Sequence, residues 1–277
     1  MNTAKTSYLR LDELSDLRIY SALIGLFAVL GLVTQFSDIN LHWFMGFNSW
    51  SETNLNNAFA AHLTELGNGA IVGLLSVLVL IKHPQLAKRL LFTTLFTALF
   101  MYGLKHWFAA PRPAGVLPAE SFHIVGDVLK KYSFPSGHTT TAFALAGFIM
   151  LSFKQIWIQV PVLVLAIIAG WSRVSVGAHW PEDIFAGAVL GLLVAWLAAA
   201  LSKTSFSDKA NWAAGLFLTL AALAGNLTLP KDFPEIQSIA QVRFIFVILT
   251  AAMLVYCLVR LIQALAVKES SDSVENK

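Results

Sequence analysis

Eight apolar stretches, each about as long as a bilayer core demands, divide this chain and decide what it can fold into. They fall near residues 18–36, 67–81, 89–108, 139–153, 156–174, 184–201, 212–229 and 244–267. Lipid offers no partner for a free backbone amide, so each stretch is expected to be helical. The fold class that follows is all-α, a polytopic transmembrane helix bundle. Composition agrees: 57% of the 277 residues are hydrophobic and 13% are charged, whereas a soluble domain carries about a quarter charged residues. The net charge of +3 is small. Its basic residues form no stripe interleaved with aromatics, which speaks against nucleic acid as a partner. The one cysteine, Cys257, lies in the last apolar stretch and reads as a small buried hydrophobe. Between the first two stretches, Leu41, Trp43, Phe44, Met45, Phe47 and Trp50 suit the headgroup region.

Orientation follows from Lys and Arg. With the N-terminus in the cytoplasm and eight spans, twelve of the 19 basic residues fall inside and seven outside. Lys5, Arg10, Lys268 and Lys277 count inside; Lys105, Arg112, Arg173 and Lys231 count outside. The bias obeys the positive-inside rule and places both termini in the cytoplasm. The first stretch lacks a small-residue cleavage site and is expected to be a retained anchor rather than a signal peptide. The polar segment 268–277 is expected to be a disordered tail.

Three clusters fall at span ends on the same outer side. They are Lys105-His106-Trp107-Phe108-Ala109-Ala110-Pro111-Arg112-Pro113, then Pro135-Ser136-Gly137-His138, then Ser172-Arg173 followed by His179 and Asp183. Lys105, Arg112 and Arg173 are three cations able to surround one phosphate, with the planar arginine fork matching two oxygens at once. Ser136, Gly137 and His138 stand where a helix begins, and unpaired amides and the helix dipole favour an anion there. Glycine in that position lets the backbone approach an oxyanion closely. Two histidines supply a nucleophile and a proton donor. Asp183, four residues after His179, is close enough to hold one ring nitrogen so that the other attacks.

Each piece alone has a plainer reading. Lys105 and Arg112 could snorkel at a membrane surface, Ser136 could be an N-cap, and Asp183 could be a first-turn acid behind Pro181. His42, His62, His83, His106 and His123 stay under the plainer, structural reading. Convergence on one side is what argues against it for the clusters. No metal-ligand spacing such as H-E-x-x-H occurs, so no metal and no cofactor are expected.

The pattern resembles the type 2 phosphatidic acid phosphatases, a family that includes lipid phosphate phosphatases and vanadium haloperoxidases. Its K-x6-R-P, P-S-G-H and S-R-x5-H-x3-D motifs read here as Lys105-x6-Arg112-Pro113, Pro135-Ser136-Gly137-His138 and Ser172-Arg173-x5-His179-x3-Asp183. The resemblance implies a six-helix membrane core over residues 1–201, with two additional transmembrane helices at 202–267. It implies His179 as the nucleophile, Asp183 as the residue that orients it, and His138 as general acid and then base. Lys105, Arg112, Ser136, Gly137 and Arg173 would form the phosphate cradle. The implied function is hydrolysis of a lipid phosphate or diphosphate at the outer face of the bacterial cytoplasmic membrane. Undecaprenyl diphosphate leads, followed by phosphatidylglycerol phosphate and phosphatidate. Membrane lipids are the expected partners. Two other functions compete: phosphotransfer from one lipid to another, for example from a polyprenyl diphosphate to lipid A, and non-enzymatic transport of lipid or ions. The haloperoxidase branch is soluble by the same resemblance, so it is set aside. Residues 114–134 read either as a partly helical flap that helps choose the substrate or as a plain connecting loop.

Overall fold

The computed structural model describes residues 14–36, 38–228 and 232–275. Lys5, Arg10, Lys231 and Lys277 of the orientation count lie outside these. The described chain is a bundle of α-helices: α1 (Leu14–Gln35), α2 (Ile39–Asn54), α3 (Asn57–Glu65), α4 (Gly69–Leu78), α5 (Ala87–Phe108), α6 (Pro113–Val116), α7 (Gly137–Met150), α8 (Ile156–Ser175), α9 (Pro181–Leu201), α10 (Asp208–Thr228) and α11 (Gln237–Glu275). A helix stands at each of the eight expected places.

Fewer than eight of them are long and apolar enough to cross a membrane. Five pass on their own, namely Leu17–Gln35, Ile156–Ser175, Pro181–Leu201, Asp208–Thr228 and Gln237–Ala266. A sixth is the bent pair Asn57–Glu65 and Gly69–Ile81, broken at 51°. Its break is Leu66-Gly67-Asn68, where Asn68 caps α4 by accepting the Ala70 amide at 3.0 Å. The expected fourth span, α7, has 14 residues, about 21 Å against a core of roughly 30 Å. It needs no greater length, because neighbouring helices rather than lipid surround it: ten of its 14 residues are buried. The expected third span, α5, has the length at 22 residues. Thr93, Thr94, Thr97, Tyr102, Lys105 and His106 lower its hydropathy.

Helix α7 packs closely against α9. A Cβ on Gly191 would stand 2.5 Å from the Thr140 carbonyl oxygen, so only glycine allows this approach. Phe143, Ala146, Leu192 and Ala195 fill the seam, with Tyr20 and Phe27 of α1 closing it. The opposite side joins α4, α5 and α7 to the last two helices: Leu74, Leu90 and Phe148 share one core with Trp212, Leu218, Met253 and Cys257. The boundary at 201/202 is therefore a point in the chain and not a seam in the packing. Arg243 of α11 makes a bidentate bond to Glu65 of α3, at 2.9 and 2.8 Å, with both side chains buried.

The segment between the first two spans forms α2 and α3. One expectation changes. The segment from 268, expected to be disordered, continues α11 as far as Glu275. Extending a formed helix adds one hydrogen bond per residue without repeating the nucleation cost.

Candidate active site

The three motif clusters meet at one end of the bundle, where α5 and α8 end and α7 and α9 begin. Pro181 opens α9 and puts Asp183 in its first turn. There Asp183 Oδ2 accepts three donors: Trp180 N–H at 2.9 Å, Ser133 Oγ at 2.5 Å and His179 Nδ1 at 3.1 Å. The plainer reading of Asp183 as a first-turn acid is thus correct, and the same carboxylate also grips the histidine. With Nδ1 donating to Asp183, Nε2 is the ring nitrogen that carries the lone pair. Both residues are 1% exposed.

Three cations bear on His179. Burial first, and then the positive charges of Arg112, Lys105 and Arg173, push its pKa well below 6.5. The imidazole is therefore neutral, as a nucleophile must be. Two of the cations are held by the loop that precedes Ser136. Lys105 Nζ donates to the Tyr132 carbonyl at 2.6 Å, and Arg112 Nε donates to that of Lys131 at 2.9 Å. Arg112 also reaches the Ala178 carbonyl at 3.0 Å. Burial and the neighbouring Arg173 lower the Arg112 pKa to about 10, which leaves it charged at neutral pH.

Ser136 is fully buried and acts as the N-cap of α7, accepting the Thr139 hydroxyl at 2.9 Å and the Thr139 amide at 3.4 Å. Its own amide donates to the Asp183 carbonyl at 3.0 Å, tying the start of α7 to that of α9. Gly137 lies against the Met101 sulfur, 2.9 Å from where a Cβ would be. His138 Nε2 and Arg173 Nε are both buried without a hydrogen-bond partner. Arg173 Nε is thus an orphaned donor in the field of Arg112 and Lys105, an arrangement able to hold an anion.

The motifs alone missed four residues here. Ser133 shares the Asp183 carboxylate and stands 3.4 Å from His179 Nδ1. Asn48 of α2, fully buried, bonds both the amide and the carbonyl of His123, at 2.8 and 2.9 Å, and the Val174 carbonyl at 3.1 Å. It pins the 114–134 segment to the end of α8. Gly67 lies at the break before α4, where a Cβ would stand 2.8 Å from the His138 carbonyl oxygen. Asp232, from the segment between α10 and α11, accepts from Arg173 Nη1 at 3.1 Å and lies 3.6 Å from His138 Nε2. Ser133 was the most legible, two residues before the P-S-G-H motif; nothing local marks Asn48 or Asp232. The 114–134 segment itself is partly helical, with the short α6 overlapping its start and a single turn at Ala119–Ser121. Phe122 packs edge-on to Phe44 at 5.2 Å.

Among the histidines given the structural reading, His62 pairs with Ser238 at 3.0 Å and His106 with the Tyr102 carbonyl at 2.8 Å.

A buried His–Asp pair under the charges of three cations thus lies at one end of a membrane helix bundle. Residues 86–207 match the PAP2 superfamily. The chain is similar to a lipid A 1-phosphatase of Porphyromonas gingivalis, 37% identical over 82 residues, which is 29% of this chain and 18% of that protein. It is also similar to an undecaprenyl-diphosphatase of Sulfolobus acidocaldarius, 34% identical over 73 residues, 26% of this chain and 35% of that one. Each match spans well under half the relative's length. Among solved structures, LpxE of Aquifex aeolicus superposes with a TM-score of 0.52 and 27% identity, covering 59% of this chain and 96% of that one.

Proposed function

We propose that this protein is a lipid phosphate phosphatase that transfers the phosphoryl group first to His179 and then to water. The observation that carries the reading is the His179–Asp183 pair at 3.1 Å, with the charges of Lys105, Arg112 and Arg173 bearing on it. In the first step, His179 Nε2 attacks phosphorus and forms the P–N bond as the P–O bond to the lipid breaks. His138 gives its proton to the departing oxygen. In the second step, His138 takes a proton from water, whose oxygen attacks phosphorus and releases inorganic phosphate and free His179. Asp183 fixes the ring tautomer and balances the charge that grows on it. Arg112, Arg173 and Lys105 stabilise the equatorial oxygens, the groups on which charge accumulates.

His138 begins with a low pKa, held there by burial and by Arg173. A bound phosphate brings negative charge beside the ring and raises it, so the acid is loaded when the substrate arrives. The site lies at a bundle end, which suits a substrate whose tail stays in the bilayer. We place that end on the outer face of a bacterial cytoplasmic membrane, with undecaprenyl diphosphate as the leading substrate. The relatives named as lipid A phosphatases favour a second substrate, a phosphate of lipid A.

The test is phosphate release by the purified, detergent-solubilised full chain. Undecaprenyl diphosphate, phosphatidylglycerol phosphate, phosphatidate and lipid A are offered, each with chelator, beside His179→Ala. Release that survives chelation and vanishes in the variant is expected, and the order of rates ranks the lipids. Release that persists in the variant contradicts the histidine mechanism. A phosphorylated lipid product in place of free phosphate turns the reading to lipid-to-lipid transfer.

A further inference from the structure

The phosphate cradle is partly filled by a carboxylate from outside the superfamily segment. Asp232 Oδ2 accepts from Arg173 Nη1 at 3.1 Å and stands 3.6 Å from His138 Nε2. It therefore sits between the two side chains whose buried nitrogens, Arg173 Nε and His138 Nε2, have no hydrogen-bond partner. One oxygen of a phosphate held by Arg173 and facing His138 would fall in the same place.

The position of Asp232 is built. Its backbone carbonyl accepts from the Asp127 amide at 3.2 Å. The next residue, Phe233, is 2% exposed and packs with Ala60, Val125, Val176 and Ile239. Gly126, at φ 81°, lies beneath the Asp232 carbonyl, where a Cβ would collide. These contacts anchor the backbone and leave the side chain, a quarter exposed, as the part that can turn away.

We propose that Asp232 sets how weakly this pocket holds free phosphate: its carboxylate stands in for one phosphate oxygen, and a bound phosphate group must displace it. The inference rests on the phosphatase reading above. Displacement opposes every phosphate equally, but a lipid substrate has tail and headgroup contacts to offset it and inorganic phosphate has none. The device lets the enzyme accept a lipid phosphate while holding weakly the free phosphate it releases. It also gives the two C-terminal helices a task in catalysis, since the segment between them delivers the carboxylate.

The experiment is calorimetric titration of inorganic phosphate into the detergent-solubilised full chain, wild type beside Asp232→Asn. Asparagine keeps the shape and the backbone bond to Asp127 and removes the charge. The variant is expected to bind phosphate at least about tenfold more tightly, because an acceptor-only anion no longer competes for Arg173. Inhibition of turnover by added phosphate should strengthen by the same factor. Equal or weaker phosphate binding by the variant, with wild-type binding measurable, overturns the proposal and leaves the phosphatase reading standing. A fall in kcat without tighter phosphate binding also overturns it, since that is the mark of a residue that positions His138. No phosphate binding by the variant also overturns the proposal; lipid turnover that His179→Ala abolishes then keeps the phosphatase reading, and its absence removes both. If Asp232→Asn loses its cooperative thermal transition, Asp232→Ser is titrated on the same terms.

Discussion

Helices α9 and α11 have nearly equal mean hydropathy, 2.4 and 2.5 over their most apolar windows, yet 56% of the first window is buried in protein and 17% of the second. The difference lies in side-chain size. Helix α9 carries Gly187, Ala188, Gly191, Ala195, Ala198 and Ala199 on its buried side. Small residues let membrane helices approach, which is what packing inside lipid requires. Helix α11 instead turns Phe244, Ile245, Ile248, Val255 and Ile262 outward, each more than half exposed. Hydropathy tells which helices enter the membrane; residue size tells which of them meet. On the proposed reading the chemistry sits where they meet, because a phosphate cradle made from four helix ends would need those ends close together. Helix α11 is fastened differently, by the polar Arg243–Glu65 pair and by a shared apolar core.

If that contrast is right, the largest effect on stability comes from the polar fastening. Glu65→Ala leaves the buried Arg243 guanidinium unpaired and should cost about 3–5 kcal/mol. A fall in the detergent thermal midpoint checks this, and an unchanged midpoint would mean α11 is held by apolar packing alone. Next is the α7–α9 seam. Gly191→Leu drives a side chain against the Thr140 carbonyl and should cost about 1–3 kcal/mol, with activity falling as the two helix starts shift. Ile248→Ala on the outward face of α11 should change neither stability nor turnover. If the two substitutions behave alike, size at the seam is not what assembles the site. A further effect is local. Ser133→Ala removes one of three donors to Asp183 and should lower kcat roughly 10- to 100-fold with KM nearly unchanged. Restoration by Ser133→Thr would tie the loss to the hydroxyl, and unchanged kcat in the alanine variant would deny Ser133 any part in holding the pair.

The contrast also explains how far the sequence could be read. Lys105, Arg112, His138, Arg173, His179 and Asp183 were legible because phosphate chemistry requires those residue types and their spacing places them at helix ends. The eight helices were legible because lipid forces backbone bonds inward. Which helices truly cross was less legible, since α7 is apolar through burial in protein rather than in lipid. Asp232 and Asn48 were invisible for another reason. Each reaches the site from far along the chain, 59 residues from Arg173 and 75 from His123, through folds of the backbone that no local pattern records. Ser136 shows the reverse case, where the plainer reading as an N-cap is the geometry found, with a part in the cradle still compatible with it.

The central claim is that phosphorus is bonded to His179 during turnover, and it can be observed directly. Enzyme mixed with its best lipid substrate is quenched in alkali within a turnover, digested, and searched by mass spectrometry for an acid-labile phosphoryl group. The account predicts the adduct on the peptide containing His179, absent in His179→Ala and accumulating in His138→Ala when a substrate with a good leaving group is supplied. Turnover without any adduct on His179, or an adduct on His138 instead, would contradict it.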